Sequence, residues 1–207
     1  MPAFLYLASQ SPRRRQLLEQ IGVPYQLLLP EAHEDAEALE AVLPGEAPAR
    51  YVQRVTLAKL HAAKARLKRS GRPPAPILCA DTTVALGRTI YGKPSDAADA
   101  RRMLGELAGH EHRVLTAVAI ATGRREAAAL SDSRVRFDVL TKAQIAAYVA
   151  SGEPMGKAGA YAIQSGAAAW VSQIRGSYSG IMGLPLYETA HLLAQLGLKF
   201  SRDGAAA

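Results

Sequence analysis

Cysteine, aromatic residues and long apolar runs are all scarce in this chain of 207 residues. Its single cysteine, Cys79, excludes a disulfide framework, and in the apolar run 77–80 a thiol is expected to pack as a small hydrophobic side chain. No apolar stretch approaches the roughly 20 residues that span a membrane. Near the start, the basic cluster follows the short apolar run, which is the reverse of a secretory signal. These features favour a reducing, cytoplasmic location without membrane attachment.

Acidic residues are also few: 18 against 25 basic residues, a formal net charge of +7. Such an excess suits an anionic partner, either nucleic acid or a phosphorylated small molecule. Aromatic residues make up only 6% of the chain, and the basic residues fall in short, scattered groups. A nucleic-acid surface usually has a continuous basic stripe with stacking rings. The composition therefore favours the small molecule.

Short apolar runs alternate with amphipathic segments, which predicts an α/β fold with an ordinary core. Gly87-Arg88 predicts a hairpin between strands 77–86 and 89–91, so the sheet is expected to be mixed. No internal repeat or long linker is present, which predicts one domain over 1–200 and a loose tail at 201–207. Other strands are expected at 5–7, 25–29, 112–121, 126–139 and 170–174, and helices from 12 and at about 48–68, 96–107, 141–151 and 185–196.

Two of the helices have features that can be checked in detail. Thr141 and Gln144 have the spacing of a capping box, in which the threonine caps the helix and the glutamine reaches back. In the long helix, one face at helical spacing is predicted to be buried. That face consists of Tyr51, Val55, Ala58, Ala62 and Ala65.

The segment Ser9–Arg15 is the most informative local feature. Ser11 is a natural helix N-cap and Pro12 suits the first helical position, so three arginines crowd the first turn. Cations there oppose the helix dipole, at a cost of up to about 1 kcal/mol each. A phosphate at this position would meet free N–H groups, hydroxyls and guanidinium groups together. A merely solvated basic turn is the alternative.

Carboxylates are expected near the anion site. Asp81 stands inside an otherwise apolar strand, where an unpaired charge is costly unless it meets a metal, a proton or a donor. Satisfaction by local turn N–H groups is the alternative. A second carboxylate could come from the acidic loop after strand 25–29, which contains Glu31, Glu34, Asp35 and Glu37.

Fixed lysines and a glycine-rich loop complete the candidates. Lys93 lies in the turn Gly92-Lys93-Pro94, and Lys157 stands just before an expected strand; either lysine suits phosphate oxygens. Gln164 is either a buried amide satisfied by the backbone or a reader of a base. The glycine-punctuated loop 176–185 is either an anion-approach loop or a simple turn.

Six motifs, in order, resemble the Maf family: LASQSPRR, ADTTV, GKP, MLGELAGHEHRVLTAV, EPMGKAGAYAIQ and GSYSGIMGLP. The resemblance runs from about Leu5 to Glu188. It implies an elongated two-lobed fold like that of the inosine triphosphate pyrophosphatases, with a mixed twisted sheet flanked by helices and a central nucleotide cleft. It also implies a homodimer that cleaves nucleoside triphosphates between the α- and β-phosphates with Mg²⁺ or Mn²⁺.

Site residues are carried over by motif. The resemblance makes Asp81 the proton acceptor and Glu34 the acidic residue after the second strand, with Glu34 as metal ligand or both carboxylates sharing the metal. It places a further set near the phosphates: Ser9, Arg13, Arg14, Lys59, Lys93 and Lys157.

Substrate choice in the family depends on three positions, here Arg13, Thr82 and Gln164. They resemble the subgroup that hydrolyses dTTP and UTP, whereas the sister group for 7-methyl-GTP has Trp, Gln and Glu there. An uncharged amide has a donor and an acceptor for the imide edge of uracil or thymine. Two departures from the family pattern are Gly156, where Asp is usual, and Ser165, where Gly is common.

Two other functions compete with the enzyme. A nucleic-acid-binding or septum-formation regulatory protein would suit the positive charge. A nucleotide-binding module without catalysis would require loss of the carboxylates, and Asp81 is present.

Overall fold

The computed structural model describes residues 3–31, 34 and 38–199. The tail expected at 201–207, together with Asp35 and Glu37 of the acidic loop, lies outside the described residues. Within that part of the chain, no helix has the length and apolarity needed to cross a membrane.

Strands and helices alternate through most of the described chain. The strands are β1 (Leu5–Leu7), β2 (Tyr25–Leu27), β3 (Ile77–Leu86), β4 (Thr89–Tyr91), β5 (Glu111–Thr122), β6 (Arg125–Phe137) and β7 (Val171–Arg175). The helices are α1 (Pro12–Gln20), α2 (Pro48–Ser70), α3 (Ala97–Leu107), α4 (Lys142–Ala150), α5 (Tyr178–Met182) and α6 (Leu186–Gln195). Short 3₁₀ turns lie at Ala38–Glu40, Ala158–Ala160 and Gly166–Trp170.

The described strands form one mixed sheet, as the hairpin at Gly87 predicted. Its order is β2-β1-β3-β5-β6-β7, with β4 also paired to β3. β1 runs parallel to both β2 and β3, and the other pairs are antiparallel. β3 and β5 are buried along nearly their whole length, because helices cover both faces of the sheet there.

One edge of β3 is left open in its middle. β1 pairs with β3 only at Ile77 and Leu78, and β4 pairs with it only from Val84 to Leu86. The opposite edge of β3 pairs with β5 from Ile77 to Ala85 without a break. Asp81 and its two following residues therefore face a gap in the sheet between β1 and β4.

Helices cover the two faces of the sheet differently. α2 packs on the face where Cys79 points, while α1 and α6 pack on the face of Ala80. α3 and α4 pack around the far ends of the long strands, against Val135 and Phe137. Cys79 is fully buried and burial raises the pKa of its thiol to about 12, so it packs as the small hydrophobic residue that the sequence predicted.

The capping box of α4 is confirmed, with Thr141 accepting from the Gln144 N–H and the Gln144 side chain reaching back. The buried face of α2 differs from the predicted one. Tyr51 and Val55 are buried, but Ala58 and Ala62 are half-buried and Ala65 is exposed. The helix is turned so that bulkier side chains meet the sheet, since they bury more apolar area. The buried stripe includes Val52, Thr56, Leu60 and Ala63.

Two expectations about loops were also wrong. Within the described residues, a 3₁₀ turn and not a strand comes directly after Lys157, because Gly159 and Ala160 have φ of +68° and +61°, which an extended strand does not allow. The glycine-punctuated loop 176–185 contains a short helix, α5, capped by Ser177, whose side chain accepts from the Gly180 N–H.

The segment Lys157–Ala160 is fixed against β3. The Gly159 N–H donates to the Gly92 carbonyl at 3.0 Å, which joins this segment to the turn that carries Lys93. A Cβ on Gly159 would lie 2.9 Å from three carbon atoms of the Val84 side chain. Glycine is therefore required at this position by contact as well as by its positive φ.

We expect Gly159→Ala to destabilise the protein by about 1–3 kcal/mol more than Gly152→Ala. The reason is that an added Cβ collides with the Val84 side chain at Gly159 and meets nothing at Gly152. Gly152 has φ of +77° and nothing within 4 Å of an added Cβ. Its alanine variant therefore measures the cost of the positive φ alone. Denaturant unfolding measures the difference. Equal losses in the two variants would contradict the contact with Val84.

A buried histidine makes the stability of the fold depend on pH. His112 on β5 is 1% exposed, its Nε2 lies 2.8 Å from the Tyr161 hydroxyl, and desolvation lowers its pKa from 6.5 to about 4. Between these two values the unfolded chain binds the proton more readily than the folded one. Stability from His112 is therefore complete above about pH 6.5 and is lost as the pH falls towards 4.

We expect His112→Gln to remove this part of the acid destabilisation, up to about 3 kcal/mol between pH 6.5 and 4. Urea unfolding at a series of pH values measures the slope in both proteins, with the values above pH 7 as reference. An unchanged slope in the variant would show that His112 does not titrate as described.

Candidate active site

A cleft of about 1160 Å³ opens at the gap in the sheet between β1 and β4. Its size suits a small-molecule ligand as large as a nucleotide. The structure brings all the sequence-predicted site residues to its lining: Ser9, Arg13, Arg14, Glu34, Lys59, Asp81, Thr82, Lys93, Lys157 and Gln164.

On the α2 side of the cleft, carboxylates and lysines are paired. Asp81 is 7% exposed, and its carboxylate accepts a hydrogen bond of 2.6 Å from Lys59 Nζ on α2. The same ammonium group donates to Glu40 Oε1 at 2.7 Å, and Lys93 Nζ lies 3.2 Å from the other oxygen of Glu40. The donor that a carboxylate in this strand required is therefore Lys59.

Glu40 was missed by sequence reasoning. Burial raises the pKa of its carboxyl group, but Lys59 and Lys93 outweigh burial, so the pKa lies below its ordinary value and the group is ionised at neutral pH. No local pattern distinguishes Glu40 from the other acidic residues of its loop. Only the fold shows that this one shares a lysine with Asp81.

Glu34 lines the cleft, and its carboxylate pairs with two arginines of α2. Its carboxylate contacts Nε and Nη2 of the buried Arg66 and lies 2.7 Å from Arg69 Nη2. Arg66 also donates to the Leu28 carbonyl at 2.9 Å. Glu34 thus ties the segment after β2 to helix α2, and the structure favours Glu40 as the second carboxylate beside Asp81.

On the α1 side of the cleft, cations lack carboxylate partners among the described residues. Arg14 donates to neutral oxygens only: the Gly183 carbonyl at 2.7 Å, Ser9 Oγ at 3.1 Å and Thr82 Oγ1 at 3.3 Å. The side chains of Arg13 and Lys157 make no hydrogen bond or ion pair with other described residues. Desolvation lowers the pKa of all three cations, and Arg13 lowers that of Lys157 further.

Gln164 lies at the edge of the cleft with its amide exposed and without a hydrogen bond to the residues that the structure describes. The alternative of a buried amide satisfied by the backbone is therefore wrong. Its donor and acceptor remain available to a ligand in the cleft.

The two sides of the cleft meet across β3, because successive residues of a strand point to opposite faces. Asp81 reaches Lys59 on the α2 side, and Thr82 reaches Arg14 on the other side. A ligand in the gap can contact both. The arrangement suits an anion with several charges, held beside a carboxylate that can accept a proton.

The family described as Maf-like protein matches residues 4–196. The chain belongs to the Maf-like protein family.

Close relatives cover almost the whole chain. A dTTP/UTP pyrophosphatase of Albidiferax ferrireducens is 65% identical over 96% of this chain and 100% of its own length. Those of a Polaromonas species and of Cupriavidus metallidurans are 67% and 61% identical, over 96% and 97% of this chain and 100% of their own lengths. Among solved structures, the dITP/XTP pyrophosphatase of Mycobacterium abscessus is 17% identical, covers 64% of this chain and 73% of that chain, and has a TM-score of 0.39.

Proposed function

We propose that the chain is a dTTP/UTP pyrophosphatase, which hydrolyses these nucleotides to the monophosphate and pyrophosphate. The observation that carries the proposal is the cleft itself, where Arg13, Arg14 and Lys157 have no carboxylate partner among the described residues on one side and Asp81 lies on the other. Relatives of 61–67% identity over nearly the full chain have this activity in their names.

The chemistry follows from the two sides of the cleft. Arg13, Arg14 and Lys157 bind the triphosphate, whose negative charges pair with these three cations. Asp81 accepts a proton from a water molecule that attacks the α-phosphorus. The bond from this phosphorus to the bridging oxygen breaks, and pyrophosphate leaves with its charge held by the same cations.

A divalent cation, Mg²⁺ or Mn²⁺, is part of the proposal. The described residues contain no group of three or more His, Cys, Asp or Glu side chains that could hold a metal ion. Asp81 and Glu40 both contact Lys59 Nζ, so their oxygens are no farther apart than two hydrogen bonds. Two carboxylates completed by phosphate oxygens and water suit Mg²⁺. The ion would neutralise charge on the leaving phosphates.

Base selection is proposed to depend on Gln164, whose free amide matches the imide edge of uracil or thymine. We expect little discrimination at the 2′ position, as in the subgroup that the sequence resembles. Two further proposals are a homodimer, supported by the motif resemblance, and a reducing cytoplasmic location, supported by the single, buried Cys79.

A nucleotide panel with Mg²⁺ or Mn²⁺ tests the function. We expect dTTP and UTP to be the preferred substrates and to release monophosphate and pyrophosphate, and Asp81→Asn to abolish turnover in a folded protein because the proton acceptor is lost. Product chromatography identifies the bond that breaks. Release of orthophosphate, or a strong preference for 7-methyl-GTP or purine triphosphates, would overturn the proposal.

Two glutamates give a matched comparison within the site. We expect Glu40→Gln to lower kcat/KM for dTTP by at least about 100-fold, because it removes a carboxylate beside Asp81. Glu34→Gln should lower it by less than about fivefold while reducing thermal stability, because Glu34 pairs with Arg66 and Arg69. Steady-state kinetics and thermal melts measure both variants, and the reverse order of activity losses would restore Glu34 as the active carboxylate.

A further inference from the structure

A series of hydroxyl groups leads from Arg14 into strands β3 and β5. Arg14 Nη2 is 3.3 Å from Thr82 Oγ1, which is 2.9 Å from Thr116 Oγ1. Thr116 Oγ1 is in turn 2.7 Å from the Gly180 carbonyl oxygen. Thr82 and Thr116 are directly paired in the register of β3 and β5, and Thr116 is fully buried.

The direction of every hydrogen bond in this set is fixed. A carbonyl oxygen can only accept, so the single hydrogen of the Thr116 hydroxyl goes to Gly180. Thr116 must then accept from the Thr82 hydroxyl, and Thr82, its hydrogen used, can only accept from Arg14. The Gly180 carbonyl thereby sets the orientation of the two threonine hydroxyl groups and of the Arg14 guanidinium group.

The set closes on itself. Arg14 Nε donates to the Gly183 carbonyl at 2.7 Å, three residues after Gly180. Gly183 has φ of +121°, and a Cβ there would lie 3.6 Å from both Arg14 Nε and Thr82 Oγ1. We call Arg14, Thr82, Thr116 and the segment 180–183 the hydrogen-bond ring. Three of the five N–H groups of Arg14 are used by the ring and by Ser9, and the other two can donate to a ligand.

We propose that Thr116 is a positioning residue for the phosphates, and that it acts through the hydrogen-bond ring by fixing the guanidinium plane of Arg14. This inference rests on the proposed function. It also assigns a manner of action to Thr82: with its hydrogen committed to Thr116, Thr82 cannot donate to a base and influences the substrate through Arg14. Fixed donors bind a phosphate at a lower cost in side-chain entropy than mobile ones.

Thr116→Val tests the proposal because it removes the hydroxyl and keeps the shape of the side chain. We expect KM for dTTP to rise about 10-fold and kcat to fall less than about threefold. Arg14 binds the ground state and the transition state equally, so its displacement weakens substrate binding more than it slows the chemical step. The dissociation constant of inorganic pyrophosphate, measured by calorimetry on the full-length protein, should rise by the same factor. Pyrophosphate has no base, so it reports on the phosphate side alone.

Two variants separate positioning from general loss of stability. Thr116→Ser keeps the hydroxyl, and we expect it to restore KM and pyrophosphate binding to within about twofold of wild type. Thr189→Val removes another fully buried threonine hydroxyl, one that donates to the Pro185 carbonyl at 2.7 Å in α6, outside the cleft lining. It should lower the melting temperature and leave both constants unchanged.

A double-mutant comparison makes the test independent of folding in any one variant. Thr82→Val interrupts the ring at the neighbouring hydroxyl, so it should weaken pyrophosphate binding to the same degree, and adding Thr116→Val should bring no further loss. If Thr116→Val does not fold, the comparison of the Thr82→Val variant with the Thr116→Ser variant still shows whether pyrophosphate binding depends on these hydroxyl groups.

The outcomes are distinct. Pyrophosphate affinity within twofold of wild type in Thr116→Val or Thr82→Val overturns the positioning role, and so does a serine variant that behaves like valine. Failure of the wild-type protein to hydrolyse dTTP or UTP overturns the proposed function instead, while pyrophosphate binding still reports on the ring.

Discussion

The open edge of β3 is the constraint on which the site depends. Because β1 ends at Leu7, opposite Leu78, and β4 ends at Tyr91, opposite Val84, the middle of β3 has a strand partner on one side only. A strand residue normally faces one layer of helices, but at a gap in the sheet neighbouring residues from both faces reach the same space. Asp81 and Thr82 are such neighbours, so one short segment supplies the carboxylate and the support for the arginine.

Charge in the cleft is balanced on one side and not on the other. Lys59 pairs with the carboxylates of both Asp81 and Glu40, and Lys93 pairs with Glu40, so two positive charges balance two negative charges on this side. Across β3, the guanidinium group of Arg14 is held by neutral oxygens, which fix its position without cancelling its charge. A polyanion entering between them gains its electrostatic attraction without first breaking an arginine–carboxylate pair.

Local patterns in the sequence were enough to predict most of the elements, because turn chemistry and apolar periodicity act over a few residues. The hairpin at Gly87 and the capping box at Thr141 are examples. What could not be predicted depends on contacts between distant segments. The choice of Glu40 over its acidic neighbours depends on Lys59, and the direction in which α2 faces depends on the packing of whole helices. The loop after Lys157 is set by its contact with Gly92 rather than by any extended pattern.

Two alanines of α2, Ala62 and Ala65, line the cleft beside longer side chains of the same helix such as Lys59. The apolar side chains Val52, Val55 and Leu60 are buried instead. Both alanines lie outside the buried stripe of α2. Larger side chains at these alanines would narrow the binding space with little disturbance of the packed interior, so the range of accepted ligands can diverge among descendants of this sequence without loss of the fold.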